Sequence, residues 1–132
     1  MAKLIVVSFS LALLALSTDA GAHHSFSAEF DAGKPFKVTG TITRVEWMNP
    51  HIFLYVDVVE DSTKKVTNWT MELGSPNNLM RNGWSRNSLK IGDVITVEGS
   101  QARDERPMGS PSSIIMTKTG QRFLAGVNES QP

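Results

Sequence analysis

Residues 36–58 read FKVTGTITRVEWMNPHIFLYVDV, and the periodicity of this stretch decides the fold. Phe36, Val38, Gly40 and Ile42 share one parity, the two-residue period of a half-buried strand. Val45 and Trp47 fall on the other parity. A change of phase inside one strand requires a bulge or a sharp bend, and Gly40 lies where such bends are tolerated. Asn49-Pro50 ends the strand, because proline cannot donate to a ladder. Ile52, Leu54, Val56 and Val58 then form the inner face of a second strand.

Downstream the punctuation continues. Asp61 to Lys64 reads as a hairpin turn, and Val66 to Leu73 as a third strand with Trp69, Met71 and Leu73 on one parity. A short helix follows, with Ser75 as N-cap, Pro76 at its first position and Gly83 placed to end it. Its apolar residues are Leu79 and Met80. Such a helix is too short to stand alone and must cover an end of the sheet. Lys90 to Asp93 turns into a fourth strand, Val94 to Gln101. Arg103 to Ser112 reads as a charged loop. Ile114 to Thr117 is a fifth strand, and Gln121 to Leu124 adds a short last one. The order predicts an all-β fold, a small five-stranded OB-like barrel with one short helix between strands three and four. An open β-sandwich of the same strands is the competing arrangement. A barrel of this size has no room inside for a ligand, which puts binding on its outer face or loops.

Upstream, Met1 to Ala22 has the layout of a secretory signal. Lys3 supplies the charge, Leu4 to Leu16 the apolar run, and Ala20-Gly21-Ala22 the cleavage site. The run is too short to span a bilayer. The expected organisation is a signal peptide over 1–22, an N-terminal arm over 23–35, the β-domain over 36–126 and a flexible tail over 127–132. The expected location is periplasmic or secreted, with no transmembrane segment in the mature chain.

Composition narrows the function. The 132 residues carry 13 Lys+Arg against 13 Asp+Glu and no cysteine. Zero net charge gives no footprint for nucleic acid. Without cysteine there is no disulfide, no thiolate nucleophile and no Cys-type zinc site. No G-x-S-x-G, H-E-x-x-H or Gly-rich phosphate loop is present. The pattern points to a binding module rather than an enzyme.

Several strings in order also carry a resemblance: HHSF with EFD behind it (His23 to Asp31), EWMNPH (Glu46 to His51), ELGSPNNLMRNGW (Glu72 to Trp84) and LKIGDVITVEG (Leu89 to Gly99). Together they resemble a family of small exported bacterial proteins catalogued as domain of unknown function 6152. The resemblance implies an exported small β-domain, and it brings no catalytic residue and no ligand with it. The resemblance does not rest on the loop from Arg103 to Ser112.

The chain has three histidines, and their placement suggests a metal site. Cutting after Ala22 makes His23 the first residue, whose amine and Nδ1 can chelate one ion. His24 or His51 then supplies a third nitrogen. Cutting after Ala20 instead puts His23 third, where amine, two amides and imidazole wrap Cu(II) in a plane. Amine and imidazole nitrogens rank Cu(II) above the other first-row divalent ions. The competing reading makes His23 and His24 a solvated arm and His51 a strand residue bonded to backbone. A copper-dependent redox enzyme with an open coordination position is a third reading.

Two further groups stand out. Phe53, Tyr55 and Asp57 share parity with His51 and line the outer face of strand two, a candidate partner-binding strip. Alternatively, Phe26 or Phe30 of the arm packs over Phe53 and Tyr55. Glu72 and Arg81 are expected to form a structural ion pair pinning the short helix. Trp84 is expected to be the apolar contact of the helix C-cap, and Trp47 and Trp69 to lie in the core or at its rim.

Overall fold

A computed structural model describes residues 26–125. The signal segment, His23, His24 and the tail over 127–132 lie outside the described residues. A helical turn over 26–29 leads into β1 (Phe30–Glu46). Then come β2 (Phe53–Val59), β3 (Val66–Glu72), α1 (Pro76–Arg81), β4 (Val94–Ala102), β5 (Met108–Met116) and β6 (Arg122–Leu124). The six strands form one sheet in the order β3-β2-β1-β4-β5-β6. A short parallel pairing, Thr70 with Met108 and Met71 with Gly109, joins β3 to β5 and closes the sheet into a ring. The ring order and the helix between β3 and β4 are those expected of an OB-type sheet. The closure excludes the open sandwich. β6 is a sixth strand laid against β5 outside the ring.

β1 serves two partners because it changes phase. Its first part pairs with β4, from Phe30 opposite Ala102 to Thr41 opposite Val94. Its last part pairs with β2. There Ile42 faces Val56 and Arg44 faces Tyr55, so Thr43 is the extra residue of a bulge. This bulge makes the parity switch expected from Ile42 and Val45. Gly40 precedes it in close backbone approach to Asp57.

Inward residues of every ring strand meet in one core. Ile42, Leu54, Val56, Met71, Ile95, Val97 and Ile114 are all essentially inaccessible to water. Burying a side chain of this size is worth about 1.5–3 kcal/mol, and the sum holds the ring closed. No buried side-chain nitrogen or oxygen lacks a partner among the described residues. Phe36 stacks on Trp69 at 5.2 Å between centroids. Trp47 packs half-buried against the core.

The helix is capped as its sequence requires. The Ser75 side chain accepts from the Asn78 N–H at 3.3 Å, and Pro76 opens the first turn. At the other end Trp84 N–H donates to Leu79 O, and Gly83 N–H to Met80 O. This paired motif needs a left-handed residue, and Gly83 supplies it at φ +86°. Trp84 is buried, packs its ring at a tilt against Phe123 and donates its Nε1–H to Leu124 O at 2.9 Å. Leu79 is buried, while Met80 faces solvent.

Two boundaries differ from the sequence reading. β5 begins at Met108, inside the stretch expected to be loop. Its early residues, Met-Gly-Ser-Pro-Ser-Ser, are poor strand formers, and tertiary contacts override that preference. Gly99 lets the Ser110 carbonyl come so close that no Cβ would fit, and Ser112 is the extra residue of a bulge in the same ladder. Pro111 is buried beside this bulge, where the ladder does not need its missing N–H. β1 likewise begins at Phe30, within the expected arm. Phe30 is buried opposite Ala102, and a register break between Asp31 and Pro35 hides the alternation.

Candidate functional site

His51 and Glu72 are brought together by backbone. Ile52 N–H donates to Gly74 O at 3.1 Å, and Leu73 N–H donates to Ile52 O at 2.8 Å. Phe53 sits opposite Glu72 in the ladder. Ile52 and Leu73 point into the core, so the residues beside them, His51 and Glu72, point out on a common face. The His51 Nδ1 lies 2.6 Å from Glu72 Oε1. The carboxylate side chain is only 16% exposed and the imidazole 36%. Burial raises the Glu72 pKa above the usual carboxylate value, and the His51 imidazole pulls the other way. The Glu29 charge adds to the rise, while Arg106 opposes it.

Those last two groups show what surrounds the pair. Glu29 belongs to the helical turn at the start of the described chain, and Arg106 to the β4–β5 loop. They form an ion pair across 77 residues of sequence. Thr70 N–H donates to Pro107 O at 3.0 Å and holds the loop against β3. Arg103 N–H donates to Glu29 O at 2.8 Å, and Lys34 Nζ meets Glu105 at 2.9 Å. The Phe26 ring packs 5.4 Å from that of Phe30. The entry of the chain is thus knitted to the β4–β5 loop. An open cavity of about 420 Å³ lies here, lined by Ala28, Glu29, Arg103, Asp104 and Arg106. Its charges are matched internally, with Arg106 also pairing with Asp104 at 3.1 Å and Arg103 reaching Asp31 at 3.8 Å.

The expected site residues fare unequally. His51 lies at the polar end, where the chain also enters. His23 and His24 lie outside the described residues. Among the described residues no three His, Asp or Glu side chains gather as a metal cluster. Glu72 is paired, but with His51 and not with Arg81. Cross-strand hydrogen bonds fix His51 beside Glu72, whereas Arg81 is exposed in the last turn of α1.

On the strand-two face, Tyr55 donates its OH to Glu46 at 3.2 Å and lies under the Arg44 guanidinium at 4.8 Å. Arg44 also pairs with Glu46. Asp57 accepts from Asn68 Nδ2 at 2.7 Å. Phe53 is half-buried. Tyr55 and Asp57 are therefore engaged within the face. Phe30 does not cover it as the arm reading had it, since its ring is buried at the β1–β4 ladder. Sequence reasoning missed Glu29, Arg103 and Arg106. The one signal was the charged loop itself, four of whose first five residues after Ala102 are ionic.

This geometry defines a small ring-shaped β-domain with a histidine–carboxylate pair at the end where the chain enters. The chain belongs to the family of unknown function DUF6152, whose profile matches residues 11–111. The match includes His51, Glu72, Glu29 and Arg106. No curated protein matches the chain. No helix among the described residues is long and apolar enough to cross a membrane.

Proposed function

We propose that this protein is an exported, periplasmic binding module that holds Cu(II) between its processed N-terminus and His51. The observation that supports the reading is that the chain entry lies close enough to Glu72 for its charge to act there. Glu29 is tied to Arg106, and its charge is felt by Glu72, the hydrogen-bond partner of His51. His23 precedes Phe26 by three residues, a span that reaches about 10 Å when extended. Where the arm turns toward His51, an amine and up to three imidazoles can meet at one ion, and such a nitrogen set favours Cu(II). The α-amine has an ordinary pKa of about 7.7, so the metal displaces a proton near neutral pH.

The experiment is a competitive Cu(II) titration on protein exported and processed by its own signal, with the mature N-terminus fixed by mass. Beside it run a copy with one extra residue before the mature start and the variant His51→Ala. Tight binding that falls at least tenfold in both establishes the shared site. Weak binding that is equal in all three retires the metal reading. The search then turns to protein partners of the strip formed by Phe53, Tyr55 and Asp57. Recovery in the periplasmic fraction tests the location.

A further inference from the structure

We infer that Glu72 is a positioning residue that holds the His51 ring as its Nδ1–H tautomer and so makes Nε2 the metal-binding atom. The inference rests on the reading above and deepens it. An ionised carboxylate can only accept, so at 2.6 Å the proton between the two groups sits on Nδ1. A neutral imidazole with hydrogen on Nδ1 carries a free lone pair on Nε2. No described residue donates a hydrogen bond to that nitrogen.

The grip is built into the fold. The two backbone bonds joining Ile52 to Gly74 and to Leu73 lie directly beside the pair, so the backbone holds both side chains on one face and within reach of each other. Glu72 is the more enclosed of the two, which orients the ring from the protein side and leaves its far edge toward solvent. Metal-bound histidines almost always donate their other ring N–H to a carboxylate, carbonyl or water, and this pair has that arrangement already made. The carboxylate also raises the electron density on the ring, which strengthens Nε2 as a donor.

Two measurements on the processed full chain test this. The first is the imidazole ¹⁵N spectrum of His51 in metal-free protein, at a pH where the ring is neutral. The expected pattern is a protonated Nδ1 and a bare Nε2, with the preference weakened in Glu72→Gln, whose amide can either accept or donate, and lost in Glu72→Ala. An Nε2–H ring in the native protein overturns the inference even where copper binds tightly. The second is Cu(II) affinity, with Glu72→Gln expected to weaken binding by about 10–100-fold. An unchanged affinity in a folded Glu72→Gln protein overturns the positioning role. A native protein that shows the Nδ1–H tautomer but no Cu(II) affinity overturns the metal reading and leaves the grip of Glu72 on His51 standing.

Discussion

Met71 and Glu72 are neighbours on β3 and belong to different parts of the protein. Met71 is inaccessible to water and belongs to the hydrocarbon core, with Leu54, Ile95 and Ile114 in the same cluster. Glu72 points the other way and works through His51, Glu29 and Arg106. The core is held by area, at about 25 cal/mol per Å² of apolar surface removed from water, and does not care about salt. The polar end is held by charges that remain partly wet. Exposed ion pairs of this kind are worth about 0–1 kcal/mol each. Stability should therefore follow the inward residues of β3, and ligand binding the outward ones.

The largest expected effect is in the core. Leu54→Ala removes a fully buried side chain from β2 and should cost about 2–5 kcal/mol, read as a lowered urea midpoint. On the proposed copper reading, the remaining folded protein should bind Cu(II) as tightly as the native chain. A cost under about 1 kcal/mol would mean that the ring depends on something other than its core.

The polar end should behave in reverse. Glu29→Gln removes the carboxylate that ties the chain entry to Arg106. Its expected cost in stability is under about 1 kcal/mol, since both partners are over a third exposed. Its expected effect on Cu(II) affinity is a severalfold loss at low ionic strength. The difference from the native protein should shrink as salt shortens the Debye length from about 10 Å at 0.1 M to about 3 Å at 1 M. A large fall in stability with unchanged affinity would mean that the chain entry is part of the core scaffold.

The same division explains what could be read from the sequence. The core was legible because burial writes a period. The switch from Ile42 to Val45 implied the bulge now seen at Thr43, and Ser75, Pro76 and Gly83 marked the helix. Legibility failed where tertiary packing overrides local preference, as at Met108 to Ser113 and at Phe30. At the polar end His51 could be singled out, because histidines are few. Its partner could not. Glu72 to Arg81 is a short separation that looked natural, but the ladder between β2 and β3 decides who stands beside Glu72. Glu29 and Arg106 are further apart than any local rule reaches, and the β1–β4 ladder, with Phe30 opposite Ala102, brings them together.

The smallest expected effect belongs to a third region, where charges serve neither the core nor the site. Lys37 and Glu98 stand directly opposite each other on β1 and β4, with Nζ 2.9 Å from Oε1. Thr39 and Thr96 repeat the arrangement two pairs further on, on the same face, their hydroxyls 2.8 Å apart. The Lys37 hydrogen bond, and then its charge, hold the Glu98 carboxyl below its ordinary value of 4.5, with a lesser pull from Arg122. A carboxyl with a depressed folded pKa contributes stability that is present above the unfolded value and is lost as pH falls through the folded one. Here the group is open to solvent, so screening leaves little of that contribution. Lys37→Gln should therefore leave the melting temperature at neutral pH unchanged within error. The Glu98 carboxyl, followed by ¹³C NMR, should instead titrate closer to 4.5 in the variant, and stop short of it because Arg122 remains. High salt should move the native midpoint in the same direction. A midpoint that stays put on losing Lys37 would assign the depression to Arg122 and Ser113, which contact Glu98 from β6 and β5, and would make the β4–β5–β6 side the electrostatically active one.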